Sequence, residues 1–123
     1  MTSDMTGQLT IYVLDTTQGC PAADLAIELW ILDPRIESQT QLIVTRTNNA
    51  GVTDEPVIIV PEMEVGTYEL LFGVGEYFAR QDLAAMEMPF LDEVPIRFGI
   101  ADTTRHYHIS LFISPWSYSF YCA

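Results

Sequence analysis

Two histidines are the clearest candidates for chemistry in this chain. His106 and His108 are the only histidines in the sequence, and one residue separates them. If this stretch is a β-strand, both side chains project from one face, because alternate residues of a strand share a face. Imidazoles placed in this way could transfer protons or bind a metal, although no third metal ligand can be identified. Two ordinary histidines, exposed or hydrogen-bonded, are the alternative.

A second candidate is the segment 114–121, which is rich in hydroxyl groups and aromatic rings. In a strand, Tyr118 and Phe120 would face one side, and Ser119 and Tyr121 the other. One side could then belong to the core while the other lines a polar aromatic pocket. An edge strand with ordinary amphipathic alternation is the alternative.

Several familiar catalytic arrangements are absent from the sequence. It has no glycine-rich phosphate loop, no Cys-x-x-Cys motif and no Gly-x-Ser-x-Gly motif. It has no lysine, which excludes Schiff-base chemistry. The acidic residues Asp92, Glu93 and Asp102 carry no pattern of a paired acid and base, so we interpret them as solvated charges.

The elements that must position these residues are mostly β-strands. Period-two alternation, with Gly, Pro, Asn and Asp between the runs, predicts strands at 9–15, 25–32, 41–47, 57–60, 67–74, 93–100, 106–113 and 116–122. Residues 19–24 form a turn cluster, and 76–83 fit a helix of about two turns. Seven to eight short strands predict an all-β, two-sheet sandwich with one short helix. We expect a flexible segment at 1–8 and a single domain at 9–123.

Charge and composition restrict the possible partners. The chain has 123 residues, 17 acidic residues, five arginines and a net charge of −12. Such a charge repels phosphate, so we expect neither nucleic acid nor an anionic membrane as a partner. No secretory signal is visible at the start, which predicts a cytoplasmic protein. In that setting Cys20 and Cys122 are expected to stay reduced.

Longer motifs carry a resemblance to a known family. They read Leu-Thr-Ile-Tyr-Val-Leu-Asp at 9–15, Gly-Cys-Pro-Ala-Ala at 19–23, Glu-Leu-Trp at 28–30, Thr-Asp at 53–54, Gly-Thr-Tyr-Glu-Leu at 66–70, Pro-Phe-Leu-Asp-Glu-Val-Pro-Ile-Arg-Phe-Gly-Ile at 89–100, His-Tyr-His at 106–108 and Ser-Pro-Trp-Ser-Tyr-Ser at 114–119. Together they resemble the 5-hydroxyisourate hydrolases of urate breakdown, which share the fold of transthyretin. The resemblance extends from Leu9 to Tyr121.

This resemblance implies a transthyretin-like sandwich that assembles as a homotetramer, with small-molecule sites at the subunit interface. The family hydrolases open the ring of 5-hydroxyisourate by adding water to a ring carbonyl. The resemblance implies no metal and no organic cofactor.

Carried over residue by residue, the resemblance predicts an incomplete catalytic set. His108 keeps the catalytic histidine of the His-Tyr-His motif. Tyr12 stands where the family has a histidine, and Val52 stands where it has the arginine of an Asp-Gly-Arg turn. The family ending Tyr-Arg-Gly-Ser reads Tyr-Cys-Ala at 121–123. The predicted catalytic residues are His108, Tyr12 and Ser119, and the predicted substrate-binding residues are Val52, His106, Ser110, Phe112, Tyr121 and Cys122.

These replacements affect which functions we expect. Valine lacks the forked donor set with which arginine binds anionic oxygens, and tyrosine, with a reference pKa of about 10, is a poor base. Arg46 lies well upstream of Val52 and is interpreted as a solvent-facing residue. We therefore predict acid–base chemistry by His108 on an altered cyclic carbonyl compound, by ring opening, cyclisation or rearrangement. The alternatives are an enzyme that still opens hydroxyisourate, a non-catalytic small-molecule binding protein, and a structural or regulatory subunit.

Overall fold

The fold is a sandwich of two β-sheets. A computed structural model describes residues 7–33, 35–59, 63–81 and 88–123. The strands are β1 (Gln8–Asp15), β2 (Cys20–Pro21), β3 (Ala26–Asp33), β4 (Ser38–Arg46), β5 (Ile58–Ile59), β6 (Gly66–Gly73), β7 (Glu93–Ile100), β8 (His106–Ile113) and β9 (Tyr118–Cys122), and the helix α1 covers Val74–Arg80. The predicted all-β sandwich with one short helix is therefore confirmed.

Each sheet contributes one face to a shared core. The first sheet has the order β2-β1-β8-β9, with β5 pairing to β1, and the second has the order β4-β3-β6-β7. In β1 the burial alternates strictly, so that Leu9, Ile11 and Val13 are buried while the residues between them face outward. Ile109, Leu111 and Ile113 of β8 are buried in the same core. Alternation of this kind fits a sheet with one packed face.

The parallel pairing of β1 with β8 is the feature that matters most for the site. The two strands pair over their full length, from Gln8 opposite His106 to Asp15 opposite Ile113. Because paired residues project to the same side, the outward rows of the two strands lie next to each other. The first sheet thus brings together side chains from the two ends of the sequence.

A group of hydrogen bonds around one buried carboxylate, the Asp15 cluster, fixes α1 against the end of β1. The cluster consists of Asp15, Thr17, Gln18 and Tyr77. The Asp15 carboxylate is fully buried and accepts hydrogen bonds from the Thr17 N–H (2.8 Å), the Gln18 N–H (3.1 Å), the Gln18 Nε2 (2.7 Å) and the Tyr77 hydroxyl (2.8 Å). A buried carboxylate is tolerated when its oxygens are satisfied in this way. The cluster therefore explains why a charged residue ends a core strand.

Most of the predicted boundaries lie within two residues of the observed ones, whereas β4 begins at Ser38, three residues before its predicted start. β7 and β8 have the predicted bounds. The helix begins two residues before the predicted start and ends at Arg80, while residues 82–83 of the prediction lie outside the described residues. The two-residue strand β2 lies inside the predicted turn cluster at 19–24. Such a strand is too short to show a period.

Two further expectations concern the start of the chain and its cysteines. β1 begins at Gln8, so Gln8 belongs to the sheet, whereas residues 1–6 of the expected flexible segment lie outside the described residues. In the described part of the chain, no helix has the length and hydropathy that a membrane crossing requires. The thiols of Cys20 and Cys122 are not joined to each other.

Candidate functional site

The candidate site is built on the outward face of β1 and β8. Thr10 lies opposite His108, and Tyr12 lies opposite Ser110. Both histidines face outward, as the spacing of His106 and His108 predicted for a strand. The hydrogen bonds between β1 and β8 hold the backbone before and after His108, so its side chain projects from a rigid strand.

His108 has a specific partner within this face. The hydroxyl of Thr10 lies 2.7 Å from the Nδ1 atom of His108, within hydrogen-bond distance. Both side chains are half-buried. The contact occupies one nitrogen of the ring and leaves Nε2 as the atom that can exchange a proton with a bound molecule.

A tight turn delivers Val52 to the same region. Gly51 has a φ of +79°, and a Cβ there would lie 2.7 Å from the carbonyl oxygen of Val13, so only glycine fits. The Asn48 side-chain oxygen accepts the Ala50 N–H at 2.8 Å and closes the turn. Val52 then forms an isolated antiparallel bridge with Tyr12. The two positions that the resemblance marks as replaced are therefore direct neighbours.

A cavity of about 230 Å³ opens beside His108. It is lined by Thr10, Ile11, Val52, Thr53, Asp54, Glu55, Pro56 and His108. Two of these side chains are acidic and none is an arginine or lysine. Asp54 is oriented by the Asn48 amide, whose Nδ2 donates to its Oδ1 at 3.0 Å. The wall of the cavity is thus neutral to acidic, apart from the imidazole itself.

The edge strand β9 extends the outward face away from the cavity. Tyr121 lies opposite Ser110, and Ser119 lies opposite Phe112. The rings of Phe112 and Tyr121 stack with their centroids 6.1 Å apart and their planes 19° apart. These four predicted residues therefore share a face with His108, but they do not line its cavity.

Two predicted substrate-binding residues lie apart from this arrangement. Cys122 pairs with Ile109, whose side chain is in the core, so its position faces the other side of the sheet from His108. His106 is exposed at the start of β8 and pairs with Gln8 rather than lining the cavity. Among the predicted residues, the structure brings His108 and Val52 to the cavity and places Tyr12 beside Val52.

Four polar residues of the cavity were not among the predicted site residues, namely Thr10, Thr53, Asp54 and Glu55. Thr10 was missed because its partner is 98 positions away in the sequence, and only the parallel pairing reveals it. Glu55 carried no signal. Asp54 was part of a quoted motif, and its position two residues after Val52 was the one available indication.

Other charged groups have local structural roles. The Asp102 carboxylate accepts the Thr104 N–H at 2.9 Å and the Thr104 hydroxyl at 2.6 Å, and these bonds lower the pKa of Asp102. Asp92 and Glu93 are exposed, as predicted. Arg46 lies on β4 of the second sheet and does not line the cavity. It contacts Asp24 (Nη1 to Oδ1, 3.4 Å) and Glu76 (Nη2 to Oε2, 3.5 Å).

Metal ligation was one interpretation of the histidine pair. Across the described ranges, no three or more His, Cys, Asp or Glu side chains lie close enough to hold a metal ion. His108 is tied to Thr10, and His106 is exposed at the strand start. A structural metal site needs about four ligands and a catalytic one about three, and the described residues supply no such group around His108.

The fold and the site together define a transthyretin-like sandwich with a histidine-containing cavity on its outer face. The chain belongs to the HIUase/Transthyretin family, whose sequence profile matches residues 9–122. A 5-hydroxyisourate hydrolase of Halalkalibacterium halodurans is 42% identical over 117 residues, which is 95% of this chain and 98% of that protein.

Two solved structures are similar to this chain. The crystal structure of an (S)-allantoin synthase matches with a TM-score of 0.88 and 41% identity, over 98% of this chain and 45% of that one. This chain thus spans just under half of that protein. Sea bream transthyretin, solved in complex with thyroxine, matches with a TM-score of 0.83 and 24% identity over 94% of each chain, and it supports the fold alone.

Proposed function

We propose that this protein is an enzyme of the hydroxyisourate hydrolase type that acts on a cyclic carbonyl compound through acid–base chemistry by His108. The observation that carries the proposal is the imidazole of His108 at the cavity, whose Nδ1 is within hydrogen-bond distance of Thr10 and whose Nε2 remains available. Curated relatives named 5-hydroxyisourate hydrolase, at 42% identity in the case above, favour catalysis on this scaffold.

The reaction that fits this geometry is the hydrolysis of a ring amide. Nε2 of His108 takes a proton from water as the water oxygen forms a bond to the ring carbonyl carbon. The carbon–nitrogen bond then breaks, and the imidazolium returns the proton to the leaving ring nitrogen. The sum is one water added and one ring bond cleaved, and the same steps run backwards describe ring closure.

The substrate is proposed to be less anionic than hydroxyisourate. Tyr12 and Val52 stand where the resembling family has histidine and arginine, and they are neighbours, so both replacements remove charge from one spot. The carboxylates of Asp54 and Glu55 on the cavity wall oppose an anionic ligand further. Loss of one positioned charged donor typically costs about 3 kcal/mol in a transition state. A neutral ring with an apolar substituent against Val52 fits these walls best.

The proposed working form is the homotetramer of the family. In the described structure, β9 is an edge strand of the first sheet and β7 of the second. Trp116, Tyr118 and Phe120 are exposed on and beside β9. An exposed edge with large apolar side chains favours pairing with another copy.

The experiment that tests the proposal measures the decay of freshly generated 5-hydroxyisourate with four proteins. They are the unmodified protein, the Tyr12→His/Val52→Arg double variant, and each of these two with His108→Ala added. We expect slow decay with the unmodified protein and decay at least about tenfold faster with the double variant, because a charged donor is restored. His108→Ala should lower either catalysed rate by about 10²–10⁴-fold.

His106→Ala is the matched comparison, since it truncates the same side chain two positions earlier on the same strand. Its effect should be much smaller than that of His108→Ala. Rapid decay with the unmodified protein would contradict the altered substrate. If no catalysed decay in either background depends on His108, the acid–base role fails and a non-catalytic binding protein remains.

A further inference from the structure

Thr10 is the residue whose side chain contacts the imidazole of His108. It lies in the middle of β1, opposite His108 in the parallel ladder, and its Oγ1 is 2.7 Å from the Nδ1 of His108. Both residues are half-buried, and both line the same cavity. The contact is therefore part of the site rather than of its surroundings.

The tautomer of His108 decides what this contact can do. A neutral imidazole carries one proton, either on Nδ1 or on Nε2. For Nε2 to take a proton from water it must be unprotonated, which requires the ring proton to be on Nδ1. In that tautomer Nδ1 donates its hydrogen to the Thr10 hydroxyl oxygen, and it continues to do so when the ring becomes an imidazolium.

We propose that Thr10 is a positioning residue that accepts the Nδ1–H of His108 and so keeps Nε2 free as the proton acceptor. The role of the free Nε2 as a proton acceptor rests on the proposed function, whereas the position of the ring proton on Nδ1 can be tested without it. A partner that orients one imidazole nitrogen so that the other can react is a general device of histidine sites. A threonine hydroxyl is uncharged, so it orients the ring without adding negative charge to a cavity that already has two carboxylates.

The backbone around Thr10 suits this role. The β-branched side chain of Thr10 has few χ1 rotamers, and the hydrogen bonds between β1 and β8 hold the backbone that carries it. Both restrict the position of the Thr10 hydroxyl. The nearby carboxylate of Asp54 is held by the Asn48 amide at 3.0 Å, which orients it on the loop side of the cavity. Thr10 is the partner that the structure gives to the His108 ring.

The test is the ¹⁵N NMR spectrum of the imidazole rings, recorded at about pH 9 where imidazoles are normally neutral. Nitrogens with and without a proton differ widely in chemical shift, so the spectrum reads the tautomer directly. We expect His108 to carry its proton on Nδ1 in the unmodified protein. His106, which is exposed on the same strand, serves as the internal reference without this partner, and a His106→Asn variant assigns the signals.

Two variants of Thr10 complete the test. Thr10→Val keeps the shape and removes the acceptor, so the proton of His108 should move largely to Nε2. Thr10→Ser restores the hydroxyl and should restore the original tautomer. A His108 ring with its proton on Nε2 in the unmodified protein would overturn the proposal, as would a Thr10→Val spectrum unchanged from the original. If Thr10→Val does not fold, the spectrum of the unmodified protein alone still decides.

Turnover provides the second measurement, made on whichever background shows His108-dependent decay. Thr10→Val should lower kcat by about 10–100-fold with little change in KM, because the wrong tautomer affects the proton transfer and not the binding. Thr10→Ser should recover most of the loss. Should no background show turnover, the proposed function fails, while the tautomer measurement still confirms or rejects the role of Thr10.

Discussion

Asp15 and Thr10 lie on the same strand, β1, but the polar groups to which they belong differ in almost every respect. At the end of β1, the Asp15 carboxylate is fully buried and accepts four hydrogen bonds within the Asp15 cluster. Five residues earlier, the Thr10–His108 pair is half-buried, has one hydrogen bond between its members, and opens on a cavity. The Asp15 carboxylate is hydrogen-bonded within the fold, whereas the His108 ring keeps Nε2 available for a bound molecule.

This difference separates structural from functional polarity. A buried polar group without a partner costs about 1–3 kcal/mol, so a group that serves stability is surrounded by partners. A group that serves binding or catalysis must keep some of its hydrogen-bonding capacity for the ligand. Asp15 follows the first rule and His108 the second, which predicts opposite responses to substitution.

The largest effect on stability is expected for Asp15→Ala. The change leaves the Tyr77 hydroxyl without its acceptor in a buried region, and it also removes the acceptor of the exposed Gln18 Nε2. We expect the free energy of unfolding to fall by about 4 kcal/mol, measured by chemical denaturation. Asp15→Asn keeps one acceptor oxygen and should cost clearly less. An Asp15→Ala protein as stable as the original would show that the cluster does not hold the helix to the strand.

A smaller effect, with a characteristic pH dependence, is expected for Tyr77→Phe. Burial, and next the hydrogen bond to the Asp15 carboxylate, raise the pKa of the Tyr77 phenol far above its usual range. The folded state thus keeps the phenol proton where the unfolded chain begins to lose it, at about pH 10. The stability that Tyr77 provides is complete below that pH and is lost as the pH rises above it.

Denaturation at several pH values between about 8 and 11 measures this dependence. Tyr77→Phe should cost about 2 kcal/mol at the lower end, and the cost should shrink as the pH rises. Tyr118→Phe removes an exposed hydroxyl from β9 and is the matched control, with little effect expected at any of these values. A cost of Tyr77→Phe that does not change with pH would contradict the assigned cause.

The smallest effect on stability is expected for His108→Ala, the variant with the largest expected effect on turnover. His108 is half-buried and has one hydrogen-bonded side-chain partner, Thr10, which can turn to water when the ring is removed. We expect the free energy of unfolding to change by no more than about 1 kcal/mol. A much larger loss would place His108 with Asp15 among the structural groups and weaken the case for catalysis.

The sequence predicted the fold well because most strands alternate clearly. The bounds of β7 and β8 were correct, and the resemblance to a known family supplied the two-sheet arrangement. The two-residue strand β2 was predicted as part of a turn, since two residues cannot display a period, and β5 was predicted from the short apolar run at 57–60. Pairing between neighbouring strands in space, such as β1 with β8, has no signal in either strand alone.

The site was harder to predict for the same reason. The spacing of His106 and His108 placed both on one face, but it did not distinguish the exposed His106 from His108, which is hydrogen-bonded to Thr10. The partner of His108 is Thr10, from the other end of the chain. Likewise, the contact between Tyr77 and Asp15 joins positions that are 62 residues apart. Cys122 was included from its motif, and only the register shows that its position faces the other side.

The parallel pairing of the first long strand with the second-last one also determines when the site can form. Loop closure over 98 residues is entropically costly, and folds dominated by such contacts form slowly. During synthesis, β1 leaves the ribosome early and waits with its core face unpaired until β8 has followed. The second sheet is encoded entirely between these two strands and can assemble in the meantime. The cavity at His108 can therefore form only after synthesis has passed Ile113 and β1 has paired with β8.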